Sequence, residues 1–152
     1  MNKNDFEFTF VVDQPADVVF HAINNVRGWW NTGMKGSSAG LNDEFSVRFG
    51  DVHYSKQKLI EFLPNKKVVW LVTESKLNFL SDKGEWTGTR ISFELSGKVE
   101  NTQVHFKHEG LIPKIECYDA CSNAWTEYLT DSLLKLITTG KGQPFGETVA
   151  IK

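Results

Sequence analysis

The stretch CYDACSNAWTEYLTDSLLKLITTG, residues 117–140, decides the fold. On a helical wheel Tyr118, Cys121, Trp125, Leu129, Ser132 and Leu136 fall within one stripe, and Asn123, Glu127 and Thr130 lie opposite. That periodicity predicts one helix, half buried against something larger. From Cys117 to Thr139, at 1.5 Å per residue, it runs roughly 34 Å, enough to cross a whole sheet. Gly140 is placed to end it, with Pro144 beyond.

The sheet is supplied upstream. Phe6, Phe8, Phe10 and Val12 alternate with Glu7, Thr9 and Val11, so residues 5–13 read as a half-buried strand. Pro15 suits the first turn of a helix whose apolar face is Ala16, Val19, Phe20 and Ile23. Asn24, Asn25 and Gly28 end that helix, and Trp29-Trp30 sits on a second short turn before a Gly/Ser-rich loop from Gly33 to Gly40. Strand patterns follow at 43–49, about 52–62, 67–74, and around Ile91 and Phe106, with Gly97–Asn101 as a hairpin connection. Gly50-Asp51 reads as a two-residue turn, and Val68 to Val72 as a central strand buried on both sides. Residues 76–87, with Phe79, Leu80 and Trp86, form the least regular stretch. The fold class is α+β. It has a curved antiparallel sheet of about six strands, two short N-terminal helices and one long C-terminal helix over a cavity. Residues 1–144 make a single domain and 145–152 a C-terminal tail.

Composition narrows the function. The 152 residues are 40% apolar and 24% charged, with a net charge of −2 and no basic cluster, so nucleic acid is disfavoured. The polar start, Met1 to Asp5, has no apolar signal region and no later segment is long enough to span a bilayer, which makes a cytoplasmic location the default. Cys117 and Cys121, four apart on the predicted helix, have a spacing rarely used for a structural disulfide and no second pair to complete a zinc site. Two small buried residues are expected there.

The order of these elements resembles a known family: strand, Pro-initiated helix with Phe20, Trp29-Trp30, antiparallel strands, Glu61-Phe62-Leu63-Pro64, His108-Glu109-Gly110, then the Trp125-centred helix ending in Gly140. The pattern over about residues 5–142 is similar to the helix-grip superfamily of START-related and birch-pollen-allergen-like proteins, which includes polyketide cyclase and lipid-transport members. Within it, the chain looks like small bacterial proteins similar to the C-terminal domain of the Hsp90 ATPase activator. The resemblance implies a pocket between sheet, long helix and short helices, and ligands such as lipids, sterols or polyketides. Some members act as co-chaperones, and others as cyclases. The separate N-terminal domain of the eukaryotic activator has no counterpart in these residues, so less of a full co-chaperone role is expected.

Several side chains are candidates for the pocket. His108 shares the face of Val104 and Phe106, where an imidazole can bond a ligand carbonyl or act as a general base, although a satisfied core histidine is the blander outcome. His105 and His108 face opposite sides of one strand and cannot share a metal. With a two-residue turn at Gly50-Asp51, Lys56 and Lys58 share the inward face of Phe45, Val47 and Phe49; a bulge would turn them out. Trp29, Trp30, Trp70, Phe79, Trp86, Phe93, Phe106, Cys121 and Trp125 complete the ligand-binding set, with Phe79 and Trp86 flanking an entrance. Core packing competes for every aromatic. No nucleophile–base pair, phosphate loop, metal site or cofactor motif is present. The leading reading is a non-enzymatic binder of a small hydrophobic or amphipathic molecule. The alternatives are an Hsp90-activator-like or stress-related interaction factor, and a cyclase or hydrolase using the same pocket. Nothing in the sequence selects an oligomeric state.

Overall fold

The computed structural model describes residues 5–98 and 101–145, with the backbone alone at Lys98. Seven strands form one antiparallel sheet: β1 (Phe6–Val12), β2 (Lys35–Gly36), β3 (Glu44–Phe49), β4 (His53–Leu63), β5 (Lys67–Leu77), β6 (Arg90–Lys98) and β7 (Asn101–Glu109). Their spatial order is β1-β7-β6-β5-β4-β3-β2. The seventh strand, absent from the sequence reading, is β2, two residues within the Gly/Ser-rich stretch that pair with Phe45 and Ser46. The predicted hairpin connection at Gly97–Asn101 lies partly outside the described residues.

Chain order follows spatial order from β2 to β7, through short turns at β3–β4 and β4–β5 and a longer loop between β5 and β6. At Leu63–Lys66 the Lys66 N–H donates to Leu63 O, and Asn65 takes φ 65°, a conformation asparagine tolerates. Two register shifts bend the longest strand pair, one at Lys56/Gln57, where Thr73 of β5 is the extra residue, and one at Leu59/Glu61, where Ile60 of β4 is. Bulges of this kind bend the strand that carries them and increase its twist, which curls the sheet.

In the concave face lie α1 (Ala16–Asn24), α2 (Val26–Trp29) and the long C-terminal helix. That helix comprises α3 (Tyr118–Glu127), a π-helical segment (Tyr128–Leu133) and α4 (Leu134–Thr139). Its buried positions include Cys121, Trp125, Leu129, Leu133 and Ile137, spaced by four. In a regular α-helix such a spacing drifts about 40° per step. The wider i→i+5 turn of the π segment resets the stripe, and Leu133 and Ile137 therefore carry it where Leu136 was expected. Ser132, in the same segment, donates to Trp29 O at 2.6 Å and accepts from Gln143 N at 2.7 Å, joining α2, helix and C-terminal arm.

Gly140 closes the helix at φ 88°. The chain then doubles back through Gly142, where a Cβ would meet Gly28 O at 2.5 Å. Phe145 reaches the body, its N–H bonding Trp30 O at 3.0 Å. The remaining tail, 146–152, lies outside the described residues. Among the described residues no helix is long and apolar enough to cross a membrane.

Glu85, in the irregular loop between β5 and β6, supplies what the start of α3 lacks. The Cys117 side chain makes no cap there, and Glu85 accepts from the N–H groups of Glu116 and Cys117, both at 3.0 Å. A carboxylate at a helix N-terminus satisfies orphan donors and favours the dipole. Glu85→Ala is therefore expected to lower stability by about 1–2 kcal/mol in urea denaturation, with hydrogen exchange rising first at Glu116 and Cys117.

Candidate functional site

Rings fill the space between sheet and helix. Trp30 stacks on Trp125 at 5.0 Å and on Trp70 at 5.8 Å, and Trp86 stacks on Trp125 at 6.0 Å. Phe93 and Phe106 close the layer beneath, with Phe106 4.7 Å from Trp125. Where this stack meets the tip of the β3–β4 hairpin it leaves a cleft of about 250 Å³. The floor is Trp30, Phe49, Trp86 and Trp125; one wall is Ala120, Cys121, Ala124 and Tyr128 from the helix; His53 faces them. Val52, Phe79 and Phe145 form the rim and are 52%, 47% and 43% exposed. Two wider depressions, of about 460 and 510 Å³, carry charged and amide side chains and no such apolar floor.

Of the residues singled out from sequence, Trp30, Phe79, Trp86, Cys121 and Trp125 line the cleft. Trp29, Trp70, Phe93, Phe106 and His108 are fully buried behind it. Trp29 is fixed by its Nε1–H donating to Ile23 O at 2.9 Å.

Lys56 is a correction. The β3–β4 loop holds three residues, Gly50, Asp51 and Val52, because Phe49 pairs with His53. One extra residue flips every side chain of the following strand. Lys56 therefore lies on the outer face, 3.1 Å from Glu44 Oε1, and that carboxylate raises its pKa through a hydrogen bond and its charge. Lys58, by the same parity, is turned away from the concave face. Inward instead come His53, Ser55, Gln57 and Leu59.

Cys117 and Cys121 lie side by side with Cα atoms 5.5 Å apart. Cys117 precedes the regular helix, and both residues are buried, as expected of two small apolar side chains.

His108 lies behind the floor with both ring nitrogens engaged. Trp125 Nε1–H, a donor only, gives its hydrogen to His108 Nδ1 at 3.0 Å. The ring proton must then be on Nε2, which donates to Thr89 Oγ1 at 2.9 Å, and Thr89 donates onward to Trp86 O at 2.6 Å. Burial, reinforced by His53, pushes its pKa down to about 3. His105 is on the opposite face, 2.6 Å from Glu7.

Burial also lowers His53 to about 4 and raises Tyr128, with help from Glu127, to about 12. Among the described residues no Asp, Glu, Lys or Arg lines the cleft, and the residues that do line it bring no formal charge at neutral pH. Among the described residues no group of three His, Cys, Asp or Glu side chains is placed to hold a metal ion. Sequence reasoning missed Phe49, Val52, His53, Ala120, Ala124, Tyr128 and Phe145. His53 turns on the hairpin's parity, Phe49 had its inward face read but not its place at the cleft, and Phe145 lay in what read as a tail.

No protein-family model matches the chain, and no curated protein matches it. Solved structures do. The solution structure of the Aha1 dimer from Colwellia psychrerythraea superposes with a TM-score of 0.73 at 21% identity, covering 91% of this chain and 98% of that one. CalU16 from Micromonospora echinospora gives 0.64 at 13% identity, over 89% and 76% of the two chains. DynU16, a putative protein in the dynemicin biosynthetic locus, gives 0.66 at 15% identity over 93% of this chain and 49% of its own, so this chain spans about half its length. The fold is the START-like helix-grip fold, and it resembles that of Aha1.

Proposed function

We propose that the chain binds a small, uncharged, largely apolar molecule in the cleft and does no chemistry on it. The observation that carries this reading is the pairing of a charge-free aromatic floor with an exposed apolar rim, Val52, Phe79 and Phe145. Ligand pockets have this make-up, apolar walls with few polar groups. Among the described residues, three of the seven large exposed hydrophobic side chains gather at one opening, where scattered ones would need no explanation. The size suits a compact ligand: a cavity of about 150 Å³ accepts benzene, so about 250 Å³ suits two fused rings. A cyclase or hydrolase using His108 lacks support, since both nitrogens of that ring are occupied by Trp125 and Thr89.

Native mass spectrometry of freshly purified protein, followed by organic extraction, tests the proposal. A discrete added mass that extracts as a neutral aromatic or lipid-like compound is expected; a mass bound equally by a blocked variant counts against it. Ala124→Trp is that variant. Ala124 is exposed on the helix wall, and an indole there overhangs the opening. Its expected effect is about a tenfold or greater loss of ligand affinity, with stability changed by about 0.5 kcal/mol or less.

A second reading, an Hsp90-activator-like interaction factor, is favoured by the likeness to Aha1 over nearly the whole of both chains. It uses the same rim as a docking patch. The extraction separates the two, because a partner seated on Val52, Phe79 and Phe145 brings no neutral compound into the cleft.

A further inference from the structure

We infer that the cleft selects occupants by one hydrogen-bond acceptor, a carbonyl oxygen on a compact two-ring frame, which His53 receives through its Nδ1–H. The inference rests on the binding reading above and adds to it the polar group the ligand must carry.

The inward face of β4 is unusual in this interior. Where the facing strands present Phe45, Val47, Trp70 and Val72, β4 presents His53, Ser55 and Gln57 in succession. These three form a chain. Gln57 Nε2 donates to Ser55 Oγ at 2.6 Å, and Ser55 Oγ lies 2.9 Å from His53 Nε2. Ser55 and Gln57 are fully buried.

The chain fixes a tautomer. Ser55 Oγ already accepts from Gln57, and among the described residues its other partner is His53 Nε2. A buried hydroxyl that left its hydrogen unused would cost about 1–3 kcal/mol. With the Gln57 amide turned so that Nε2 meets Ser55 and Oε1 stays without a partner, the hydroxyl donates to His53 Nε2, and the ring proton resides on Nδ1. That N–H has no partner among the described residues, and His53 borders the cleft between the rings of Phe49 at 5.0 Å and Trp86 at 4.7 Å.

A neutral N–H in a charge-free cleft asks for a neutral acceptor. A carboxylate or phosphate would enter with no cation to meet it, and a plain hydrocarbon would leave the donor unmet. A ketone, aldehyde, lactone or amide carbonyl satisfies both conditions. Tyr128 brings a hydroxyl to the wall, and Trp86 brings an Nε1–H that has no partner among the described residues, so the test must single out His53.

α-Tetralone and tetralin share one bicyclic frame and differ by a carbonyl, and tryptophan fluorescence from the floor reports the binding of each. The expected result is that both bind, and that the infrared carbonyl band of bound α-tetralone lies below its position in apolar solvent. In His53→Phe, which keeps a ring and removes the N–H, that band returns to the apolar-solvent position. Affinity for the ketone falls about three- to tenfold. A ketone that binds with an unlowered band, or one lowered equally in His53→Phe, overturns the inference and leaves the binding reading intact. Failure of both compounds to bind removes both. Imidazole nitrogen shifts of the free wild-type protein give an answer independent of the variant: a proton on Nδ1 is expected, and a proton on Nε2 overturns the inference.

Discussion

Trp125→Ala is expected to destabilise the protein by about 4 kcal/mol or more, the largest effect of any single substitution considered. Trp125 is 2% exposed and touches Trp30, Trp86, Phe106 and His108. Truncating a buried tryptophan costs about 3–5 kcal/mol through lost contacts and the cavity left behind. The change also removes the donor from His108 Nδ1, and an unpaired buried acceptor adds about 1–3 kcal/mol, not strictly additively. A typical domain is stable by about 5–15 kcal/mol, so the variant should sit near its folding threshold. Trp125→Phe separates the two contributions: most of the ring stays, the N–H goes, and a loss of about 1–3 kcal/mol is expected. Urea midpoints for the three proteins check this, and equal stability of Trp125→Phe and wild type would show that the bond to His108 contributes nothing.

The second large effect is acid lability. His108 in the folded protein has a pKa near 3 against an ordinary value near 6.5, because burial disfavours its charged form. The unfolded chain takes up this proton below about pH 6.5 and the folded chain does not until about pH 3. The stabilisation is therefore complete above the unfolded pKa and is lost as pH falls towards the folded one. His108 alone should remove roughly 2–3 kcal/mol between pH 6.5 and pH 4.5. His53, lowered to about 4 by burial, acts in the same direction. Urea unfolding across that range should show a falling midpoint, with the decline beginning above the range where carboxylates titrate. A midpoint that is flat or rises on acidification would contradict the buried neutral state of both rings.

The architecture was legible because its two periodicities are unambiguous: the period-two alternation of Phe6, Phe8 and Phe10, and the stripe of Cys121, Trp125 and Leu129 on the long helix. Neither needs tertiary information to read. The cleft was legible only in part, and the reason is parity. A single residue, Val52, decides whether Lys56 or Gln57 points inward, and Gly50-Asp51 looks the same in a two-residue and a three-residue hairpin until the pairing of Phe49 with His53 is known. The π turn is similarly silent. Its residues, Tyr128 to Leu133, include no glycine or proline that would mark an interruption. Aromatic content could not separate floor from core, because Trp30 and Trp70 stack on each other while only Trp30 borders the opening.

The most direct test of the central claim follows the five tryptophan indole N–H signals by NMR while naphthalene is added. The account predicts saturable shifts, largest at Trp30, Trp86 and Trp125 and smaller at the buried Trp29 and Trp70, and predicts that Ala124→Trp suppresses them. Shifts that never saturate, or that are largest at residues away from the cleft, would contradict a ligand site between the helix and the β3–β4 hairpin.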